Sequence, residues 1–428
     1  MTEKLLQYIW QNQYFDTSSL HTTDGEKVEI ISAGKLNTTA GPDFSGALIR
    51  IGETLLAGSV ELHIKTSLWN NHGHQFDDNY KKVVLHVVYN HDEFFTPFIP
   101  VLELQPLIPT FLLERYDLLM RSQHFIPCSG SVHTVNELVW TAWKERLLAE
   151  RLSRKSEMVL GFLEQNHFHW EETLWWMLAR NFGSSTNADA FECMARSIPV
   201  NILSKHKSQL IQLEALLLGQ AGLLQSEFNE SYPLLLQREY RFLQRKYQLQ
   251  RISIPMQFMR MRPGNFPTVR LAQLAGLIHN SSQLFSTFIE TGELHNIKDL
   301  LRSTANDYWH YHYRLDEASE YKIKNTGEEM IQNIIINTLV PVMFAYGLYH
   351  KNEQYCNKAI KWMEELKAES NAIIKRFAEF NIRAVSACDS QALLELKTAY
   401  CDHRQCLKCS IGNALLKTGD HNTERAFL

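Results

Sequence analysis

The 428 residues are enough for two or three domains, each with its own hydrophobic core. Hydrophobic residues make up 45% of the sequence, which excludes a disordered chain. The formal net charge is only −4, which excludes binding to nucleic acid or membrane through overall charge. The N-terminal residues MTEKLLQYIW lack the apolar run of a signal peptide. The most apolar later segment, 334–349, is broken by Asn337 and Pro341 and is too short to span a bilayer comfortably, so we expect a soluble cytoplasmic protein.

The first 110 or so residues predict the order helix, three strands, helix, strand, strand. Leu5, Ile9 and Trp10 lie at helical spacing, and strand-like runs follow at 28–31, 47–51 and 55–65. A polar stretch beginning at Ser67 predicts the second helix, with Ser67 as its N-cap. The run VVLHVVYN is apolar on both faces, which is typical of a strand covered on both sides of its sheet.

Apolar residues recur at helical spacing from about residue 136 to residue 400. We therefore predict an α+β fold, in which an N-terminal α/β domain is followed by a larger all-α domain. The expected boundaries are 1–125 for the α/β domain, 126–387 for the helical domain, and 388–428 for a cysteine-containing helix and tail.

The strand SVELHIK carries polar side chains on one face. Successive side chains point to opposite faces of a strand, so Glu61, His63 and Lys65 face away from the apolar residues between them. An ordinary half-buried strand has the same pattern. However, Pro42-Asp43 opens the preceding strand, and a hairpin would bring Asp43 beside Glu61. Two adjacent carboxylates repel unless a cation lies between them, which predicts Mg²⁺ or Mn²⁺ bound by Asp43 and Glu61.

Pro42-Asp43, followed by Glu61-Leu62-His63 on the next strand, resembles the PD-(D/E)XK superfamily of restriction-endonuclease-like nucleases. This resemblance covers about the first quarter of the chain and implies an αβββαβ core, metal-dependent binding of nucleic acid, and phosphodiester hydrolysis. The superfamily has a lysine at the position of His63, where it helps to activate water. A neutral imidazole at His63 or the amine of Lys65 would take this role, and without either the domain would bind without cutting.

The stretch HGHQFDDNY adds Gln75 and Tyr80, which are similar to a glutamine and a tyrosine in the RecB-like branch, at a spacing one residue longer. Resemblance to that branch implies that both residues belong to the catalytic region. The segments GPDF, GSVELHIK and HGHQ also resemble an uncharacterised bacterial family, a domain of unknown function, over most of the chain. That second resemblance implies no particular activity.

Several histidines between residues 63 and 91 leave a zinc-dependent hydrolase open as an alternative. Such a site needs two or three histidines and a carboxylate that converge, and His63, His72 and His74 are the candidates. On a regular helix His72 and His74 would not share a face, which weakens this alternative. His86, within the doubly apolar strand, is more simply a hydrogen-bonded core residue.

Three cysteines near the C-terminus have the spacing Cys401-x4-Cys406-x2-Cys409. Three thiolates at short spacing can bind zinc or an iron–sulfur cluster, although ordinary cysteines of a helix and turn explain the pattern equally well. A fourth ligand must come from elsewhere, and the candidates are Cys128, Cys388 and His403. Cys128 is preferred because it follows the nuclease-like core, and some nucleases of the superfamily similarly combine one distant cysteine with three near the C-terminus.

Residues 238–270 contain eight basic residues, one acid and interleaved aromatic residues. A solvated amphipathic helix is the commoner explanation of this pattern, but RMRPGNFP predicts a loop, and Arg260, Arg262 and Arg270 are our candidate phosphate contacts. The leading hypothesis is a metal-dependent nucleic-acid-binding protein with nuclease activity. The opposing hypothesis is a non-catalytic helical scaffold or interaction protein with a relic nuclease core.

Overall fold

In the computed structural model, which describes residues 1–93, 99–281 and 284–417, the chain divides into two units by its contacts. Unit 1 comprises Met1–Trp143, Glu379–Asn381 and the described residues from Leu396 onward. Unit 2 comprises Lys144–Ala378 and Ile382–Glu395. The first boundary thus falls at 143/144 rather than at the expected 125/126, and the C-terminal cysteine segment belongs to unit 1 rather than standing apart.

The strands are, in chain order, β1 (Leu20–His21), β2 (Lys27–Ser32), β3 (Lys35–Leu36), β4 (Phe44–Ile51), β5 (Thr54–Lys65), β6 (Val83–Asn90), β7 (Val101–Glu103), β8 (His312–Arg314) and β9 (Glu317–Ala318). The helices are α1 (Glu3–Asn12), α2 (Leu68–Asn71), α3 (Thr110–Arg121), α4 (Glu137–Gln165), α5 (Trp170–Phe182), α6 (Ser184–Arg196), α7 (Val200–His206), α8 (Leu210–Gln220), α9 (Ser231–Tyr247), α10 (Pro267–Asn280), α11 (Leu284–Glu290), α12 (Leu294–Leu301), α13 (Asp307–His310), α14 (Glu328–Ile334), α15 (Val340–Tyr349), α16 (Glu353–Glu365), α17 (Ala372–Glu379), α18 (Ala387–Glu395) and α19 (Ser410–Lys417).

Unit 1 is built on a mixed sheet with the order β1-β2-β4-β5-β6-β7, and β3 pairs with β4. The pairs β2–β4 and β4–β5 are antiparallel, whereas β5–β6 and β6–β7 are parallel. A tight turn joins β4 to β5 at Gly52, whose φ of +56° suits glycine. The parallel β5–β6 pair requires a crossover, and residues 66–82 provide it. This crossover carries several of the candidate site residues.

The helix that the sequence predicts in this crossover is short. α2 ends at Asn71, and two 3₁₀ turns follow, at His74–Phe76 and Asp78–Lys82. The physical cause is Gly73, whose φ of +73° lies in the left-handed region and ends the helix. The expectation of one continuous helix from Ser67 is therefore wrong.

The C-terminal segment is fixed to α3, which explains its place in unit 1. The Arg404 side chain donates to the carbonyls of Leu119 and Met120 in the last turn of α3, at 3.3 and 2.6 Å. Arg115 on α3 donates to the Leu415 carbonyl at 3.3 Å, and Leu416 is buried in the core that also covers the sheet. These contacts span almost 300 residues of sequence, so no local pattern predicts them.

Among its described residues, unit 2 consists of helices with one hairpin, β8–β9, so the expected all-α domain contains a small pair of strands. Its most apolar segment, Glu328–Tyr349, is one run of 22 helical residues rather than the broken segment that the sequence indicated. A π-helical turn at Ile335–Leu339 precedes Pro341 within this run, and such a local change of the hydrogen-bond ladder accommodates a residue that lacks an N–H.

This helix has the length and apolar composition of a membrane span, and no other described helix does. However, 67% of its most apolar stretch is buried inside the protein. Burial of this extent is typical of a core helix in a soluble protein, which is consistent with the predicted soluble state.

Candidate metal site

The hairpin β4–β5 places Asp43 beside Glu61. Phe44 pairs with Val60 across the hairpin. The Asp43 N–H donates to Oε2 of Glu61 at 3.0 Å, and the Leu62 N–H donates to Oδ2 of Asp43 at 3.1 Å. Gln7 of α1 donates to Oδ1 of Asp43 at 2.7 Å. Each carboxylate thus accepts a hydrogen bond from a backbone N–H at or next to the other acid, which holds the two acids side by side.

Both acids lie where negative charge is unfavourable. Burial raises the pKa of Asp43 to about 6, although the hydrogen bonds from Leu62 and Gln7 oppose this shift. Burial, followed by the neighbouring Asp43 carboxylate, raises the pKa of Glu61 to about 8. A cation bound next to Glu61 would relieve both effects, because it would compensate the charge that burial and repulsion disfavour.

Two histidines approach the same carboxyl group, and a third histidine lies against one of them. Nε2 of His63 lies 3.6 Å from Oε1 of Glu61, and Nε2 of His74 lies 3.5 Å from the same oxygen. Nε2 of His63 is also 3.1 Å from Nδ1 of His72. One ring nitrogen from each histidine lies within 4.8 Å of the other two. The three rings therefore form one compact group of candidate ligands, and Glu61 lies beside two of them, His63 and His74.

The convergence of His72 and His74 depends on the turn at Gly73. His72 follows the last residue of α2, and His74 begins the next 3₁₀ turn. Because Gly73 reverses the backbone between them, the two rings need not point in different directions as they would on a regular helix. A glycine between two histidines was the sequence signal for this arrangement, and it was missed.

The surroundings of His63 and His74 favour the neutral imidazole, which is the form that binds metals. Burial lowers the pKa of His63 to about 2, and the neighbouring histidines add to this shift. The pKa of His74 is also lowered, mainly by burial. The contacts between these rings and Glu61 are therefore not ion pairs, and lone pairs on the ring nitrogens remain available for a cation.

His86 on β6 forms a hydrogen bond with the ring nitrogen of His63 that is not the one near Glu61. It is fully buried, and its Nε2 lies 2.9 Å from Nδ1 of His63. If Nδ1 of His63 donates this hydrogen bond, the lone pair of His63 lies on Nε2, toward Glu61. A metal-binding histidine commonly uses its second nitrogen in this way, which fixes its tautomer and orientation. His86 is thus the hydrogen-bonded core residue that the sequence indicated, and its partner is the candidate ligand.

We expect His86→Leu to weaken Mn²⁺ or Zn²⁺ binding by roughly 10- to 100-fold, the effect typical of losing a partner of a metal ligand. Calorimetric titration would measure the change. His86→Gln should stay within a few-fold of wild type, because its amide oxygen can accept the same hydrogen bond. The exposed His21→Leu is the matched control. Equal affinity in His86→Leu and wild type would show that His86 only fills the core.

The other predicted residues of this region differ in their placement. Tyr80 stacks on His74 with 3.8 Å between ring centroids, so it belongs to the cluster. Gln75 is exposed. The amine of Lys65 lies 3.7 Å from Oδ2 of Asp92 and is also exposed. Nδ1 of His91 forms a hydrogen bond of 2.9 Å with the hydroxyl of Thr66.

The candidate phosphate contacts lie in unit 2. Arg260 and Arg262 are exposed on the predicted loop. Arg270 instead lies on α10, and its guanidinium donates to Gln273 at 3.0 Å and to Asn265 at 2.6 Å. Burial lowers the pKa of Arg270. Two of the three arginines are therefore placed for contact with solvent or a ligand, whereas the third is engaged by neighbouring amides.

Fold and site together define an α+β protein with a partly buried cluster of histidine side chains beside a pair of carboxyl groups at a sheet. The chain belongs to the family described as "Protein of unknown function (DUF2851)", whose sequence profile matches residues 3–372. No curated protein and no solved structure matches the chain. The matched residues include the whole histidine cluster but not the cysteines at 401–409.

Proposed function

We propose that this protein is a metal-dependent hydrolase that cleaves phosphodiester bonds in nucleic acid. The observation that carries the proposal is the grouping of three imidazoles, two of which approach one oxygen of Glu61, with Asp43 one hydrogen bond from that carboxyl group. The proposed metal ligands are Glu61, His63, His72 and His74. The histidine cluster and the acid pair, which the sequence presented as alternatives, thereby become parts of one site.

The donor set favours Mn²⁺ or Zn²⁺ over Mg²⁺. Magnesium prefers oxygen ligands and keeps several waters, whereas imidazole nitrogens suit transition metals. Two nitrogens bound to one tetrahedral zinc stand about 3.3 Å apart, given zinc–nitrogen bonds of about 2.0 Å. The 3.1 Å between Nε2 of His63 and Nδ1 of His72 fits this spacing. The Mg²⁺ that the acid pair alone predicted is therefore the weaker candidate.

A bound divalent metal lowers the pKa of a water ligand and neutralises charge on a phosphate. The protein's own side chains hold the proposed metal ligands in position. His63 stands where the nuclease superfamily has lysine, and as a neutral imidazole it acts as a ligand rather than as a second cation. Asp43 fixes the backbone next to Glu61, and Tyr80 holds the plane of His74. Burial raises the pKa of Tyr80 to about 12, so its phenol remains a hydrogen-bond donor at neutral pH.

The choice of a phosphodiester substrate rests on the resemblance to the restriction-endonuclease-like superfamily. Supporting features are an aspartate directly before β4, a glutamate on β5, and a crossover from β5 to the parallel strand β6. We propose that this sheet is a restriction-endonuclease-like core. Arg260 and Arg262 would then contact phosphates as positive charges on an exposed loop.

Cleavage of labelled single-stranded DNA, double-stranded DNA and RNA, each with Mn²⁺, Zn²⁺ or Mg²⁺, tests the proposal. We expect cleavage with Mn²⁺ or Zn²⁺ and none after chelation. If the protein binds the metal but cleaves none of these substrates, the scaffold hypothesis is favoured instead.

The double variant Arg260→Ala/Arg262→Ala should weaken nucleic-acid binding equally across sequences. It should also flatten the plot of log affinity against log salt by about one unit per lost phosphate contact, because each contact releases counterions. Fluorescence anisotropy at several salt concentrations measures this slope. Lys361→Ala/Lys375→Ala removes two exposed charges from helices of the same unit and is the matched control. Equal slopes in both double variants would remove the loop from the binding surface.

A further inference from the structure

A large cavity lies wholly within unit 2. It measures about 850 Å³, which is within the roughly 300–1,000 Å³ of sites for small molecules and cofactors. Its lining residues fall between Lys155 and Asn371, so none belongs to the histidine cluster of unit 1. By contrast, the cavity that Cys128, Cys401, Cys406 and Cys409 line in unit 1 measures about 20 Å³, close to the roughly 10–15 Å³ that one water molecule needs. The cavity of unit 2 therefore has room for an organic molecule.

Two cations line this cavity without an acidic partner. Nζ of Lys155 donates to Oδ1 of Asn337 at 2.7 Å and to Oε1 of Gln391 at 3.0 Å, and the guanidinium of Arg270 donates to two amides, as described above. Among the described residues, no carboxylate forms an ion pair with either cation. Burial, followed by the neighbouring Arg151, lowers the pKa of Lys155 to about 7, and burial lowers the pKa of Arg270. An anion bound beside them would stabilise both charged forms.

The other charged side chains of the cavity leave this positive character in place. Arg180 donates to two acids of α6 at 2.6 Å each, so its charge is compensated. Of the two acids that line the cavity, Glu369 accepts a hydrogen bond from a glutamine, and Glu329 is exposed. Lys367 adds a fourth basic side chain. The lining therefore favours an anionic ligand.

The start of α6 has the same preference. This helix begins at Ser184, and both Ser184 and Ser185 line the cavity. Its first turn, SSTN, contains no acid, and the residue at its N-cap is Gly183, which has no side chain. The start of a helix carries partial positive charge, and phosphate binds there in many proteins. Lys155, Arg270 and this helix start thus all favour a bound anion.

Side-chain amides and methionines provide most of the remaining wall. Six amides line the cavity, on Asn181, Asn265, Gln332, Asn333, Asn337 and Asn371. An amide both donates and accepts hydrogen bonds, which is the pattern that recognises the edge of a nucleobase. The buried Oδ1 of Asn181 accepts no hydrogen bond from the described part of the chain, so one acceptor at this wall is unused. Three methionines, Met158, Met177 and Met330, offer polarizable apolar surface to the face of a ring.

The backbone is irregular where the helix after Glu328 borders this cavity. Asn337 and Thr338 line it from the π-helical turn at Ile335–Leu339. Such turns are rare and frequently lie at functional sites. Asn337 is also the residue that accepts the hydrogen bond from Lys155, so the irregular turn and the buried cation meet at the cavity.

We propose that this cavity binds a nucleoside monophosphate, whose phosphate is held by Lys155, Arg270 and the start of α6 and whose base lies against the amides and methionines. A phosphate monoester carries nearly two negative charges at neutral pH and three acceptor oxygens, which matches two cations and a helix start better than a single carboxylate does. The planar guanidinium of Arg270 suits bidentate contact with phosphate, and its two bonds to amides use only two of its five N–H groups. The proposal concerns binding alone and does not depend on the hydrolase activity.

Calorimetric titration of the full chain with AMP, GMP, CMP and UMP, in buffer that contains a chelator, tests the proposal. The chelator removes any metal through which phosphate could bind at the histidine cluster. We expect saturable binding of at least one of the four, with one site per chain. The nucleoside without its phosphate and ribose 5-phosphate without a base should each bind at least roughly tenfold more weakly, because each loses one set of contacts.

Charge variants at the cavity locate the bound phosphate. Ser185→Glu places a negative charge in the cavity and should weaken binding by roughly tenfold or more, while an acid in the first turn of α6 favours the helix. Thr186→Glu adds the same charge in the same turn outside the lining residues and should stay within a few-fold of wild type. Arg270→Gln should weaken binding by roughly 10- to 100-fold, because a charged donor is lost. Arg241→Gln, on the exposed side of α9, is its matched control.

No binding of any of the four monophosphates would overturn the proposal. Inorganic phosphate that binds as tightly as the nucleotide would overturn the role of the amides and methionines. Equal affinities in Ser185→Glu and Thr186→Glu would place the ligand outside this cavity. The wild-type titrations and the two glutamate variants decide the question even if Arg270→Gln fails to fold. None of these ligands contains a phosphodiester bond, so the outcome is separate from that of the cleavage assays.

Discussion

Replacing Glu61 with glutamine is expected to reduce metal-dependent cleavage by roughly 10²- to 10⁴-fold. Metal-ion catalysis contributes several kcal/mol to transition-state stabilisation, and each 1.36 kcal/mol corresponds to a factor of ten in rate. Glutamine keeps the shape of the side chain and can still accept the N–H of Asp43 through its amide oxygen. It removes the carboxyl group that His63 and His74 approach, and with it the negative charge that Glu61 would carry next to a bound metal. The loss should therefore reflect metal binding rather than unfolding.

Glu53→Gln is the matched control, because Glu53 is exposed in the turn of the same hairpin. It should cleave at the wild-type rate. Calorimetric titration with Mn²⁺ should show weaker binding to Glu61→Gln and unchanged binding to Glu53→Gln. Wild-type cleavage by Glu61→Gln would remove Glu61 from the chemistry. Weaker metal binding with no cleavage by any form would retain the metal site but reject the hydrolase.

Replacing Glu214 with glutamine is expected to stabilise unit 2 at pH 8 by up to about 3 kcal/mol. Burial raises the pKa of Glu214 from its ordinary value of 4.5 to about 7, although hydrogen bonds from Tyr232 and Trp309 oppose the shift. At 1.36 kcal/mol per pKa unit, this difference corresponds to about 3 kcal/mol. Glutamine can still accept the bonds from Tyr232 and Trp309, which measure 2.6 and 3.0 Å.

The sign follows from the protons bound by the folded and unfolded chains. Below pH 4.5, Glu214 is neutral in both states and does not affect stability. Between pH 4.5 and 7, the unfolded chain releases the proton while the folded protein retains it, so stability falls as pH rises. Above pH 7 both states are ionised and the penalty is constant. The benefit of Glu214→Gln should thus grow from nothing at pH 4 to its maximum above pH 7.

Amide hydrogen exchange in α8, measured at pH 5 and pH 8, reports this local stability directly. Corrected for the intrinsic exchange rate at each pH, protection in Glu214→Gln should exceed wild type at pH 8 by more than it does at pH 5. Glu227→Gln, an exposed glutamate that follows α8, is the control and should match wild type at both values. A difference that does not depend on pH would mean that the charge of Glu214 is not the cause.

Local residue patterns were enough to predict the class of the fold and the proximity of Asp43 and Glu61. Alternation along β5 requires only the two-residue period of a strand, and the tight turn at Gly52 pairs β4 with the adjacent β5. The placement of Asp43 beside Glu61 therefore followed from neighbouring sequence. The helical spacing of the later residues likewise predicted a larger helical part. The doubly apolar β6 lies buried between β5 and β7, as predicted.

Local patterns gave wrong predictions where a single residue or a local change in hydrogen bonding alters the path of the backbone. Gly73 interrupts an apparently helical stretch because its left-handed φ is open to glycine, and only this turn lets His72 and His74 approach His63. A π-helical turn keeps the helix continuous ahead of Pro341, which the sequence indicated as a break.

The sequence by itself determined which residues can bind a metal, because imidazole, carboxylate and thiol are properties of side chains alone. The tertiary structure decided which of them meet. His86 reaches His63 because β5 and β6 pair in parallel, and Cys128 meets Cys401 because the C-terminal segment packs on α3 almost 300 residues earlier in the chain. Periodicity describes neighbours along the chain, whereas these contacts depend on strand pairing and burial between distant segments, for which a single sequence carries no local signal.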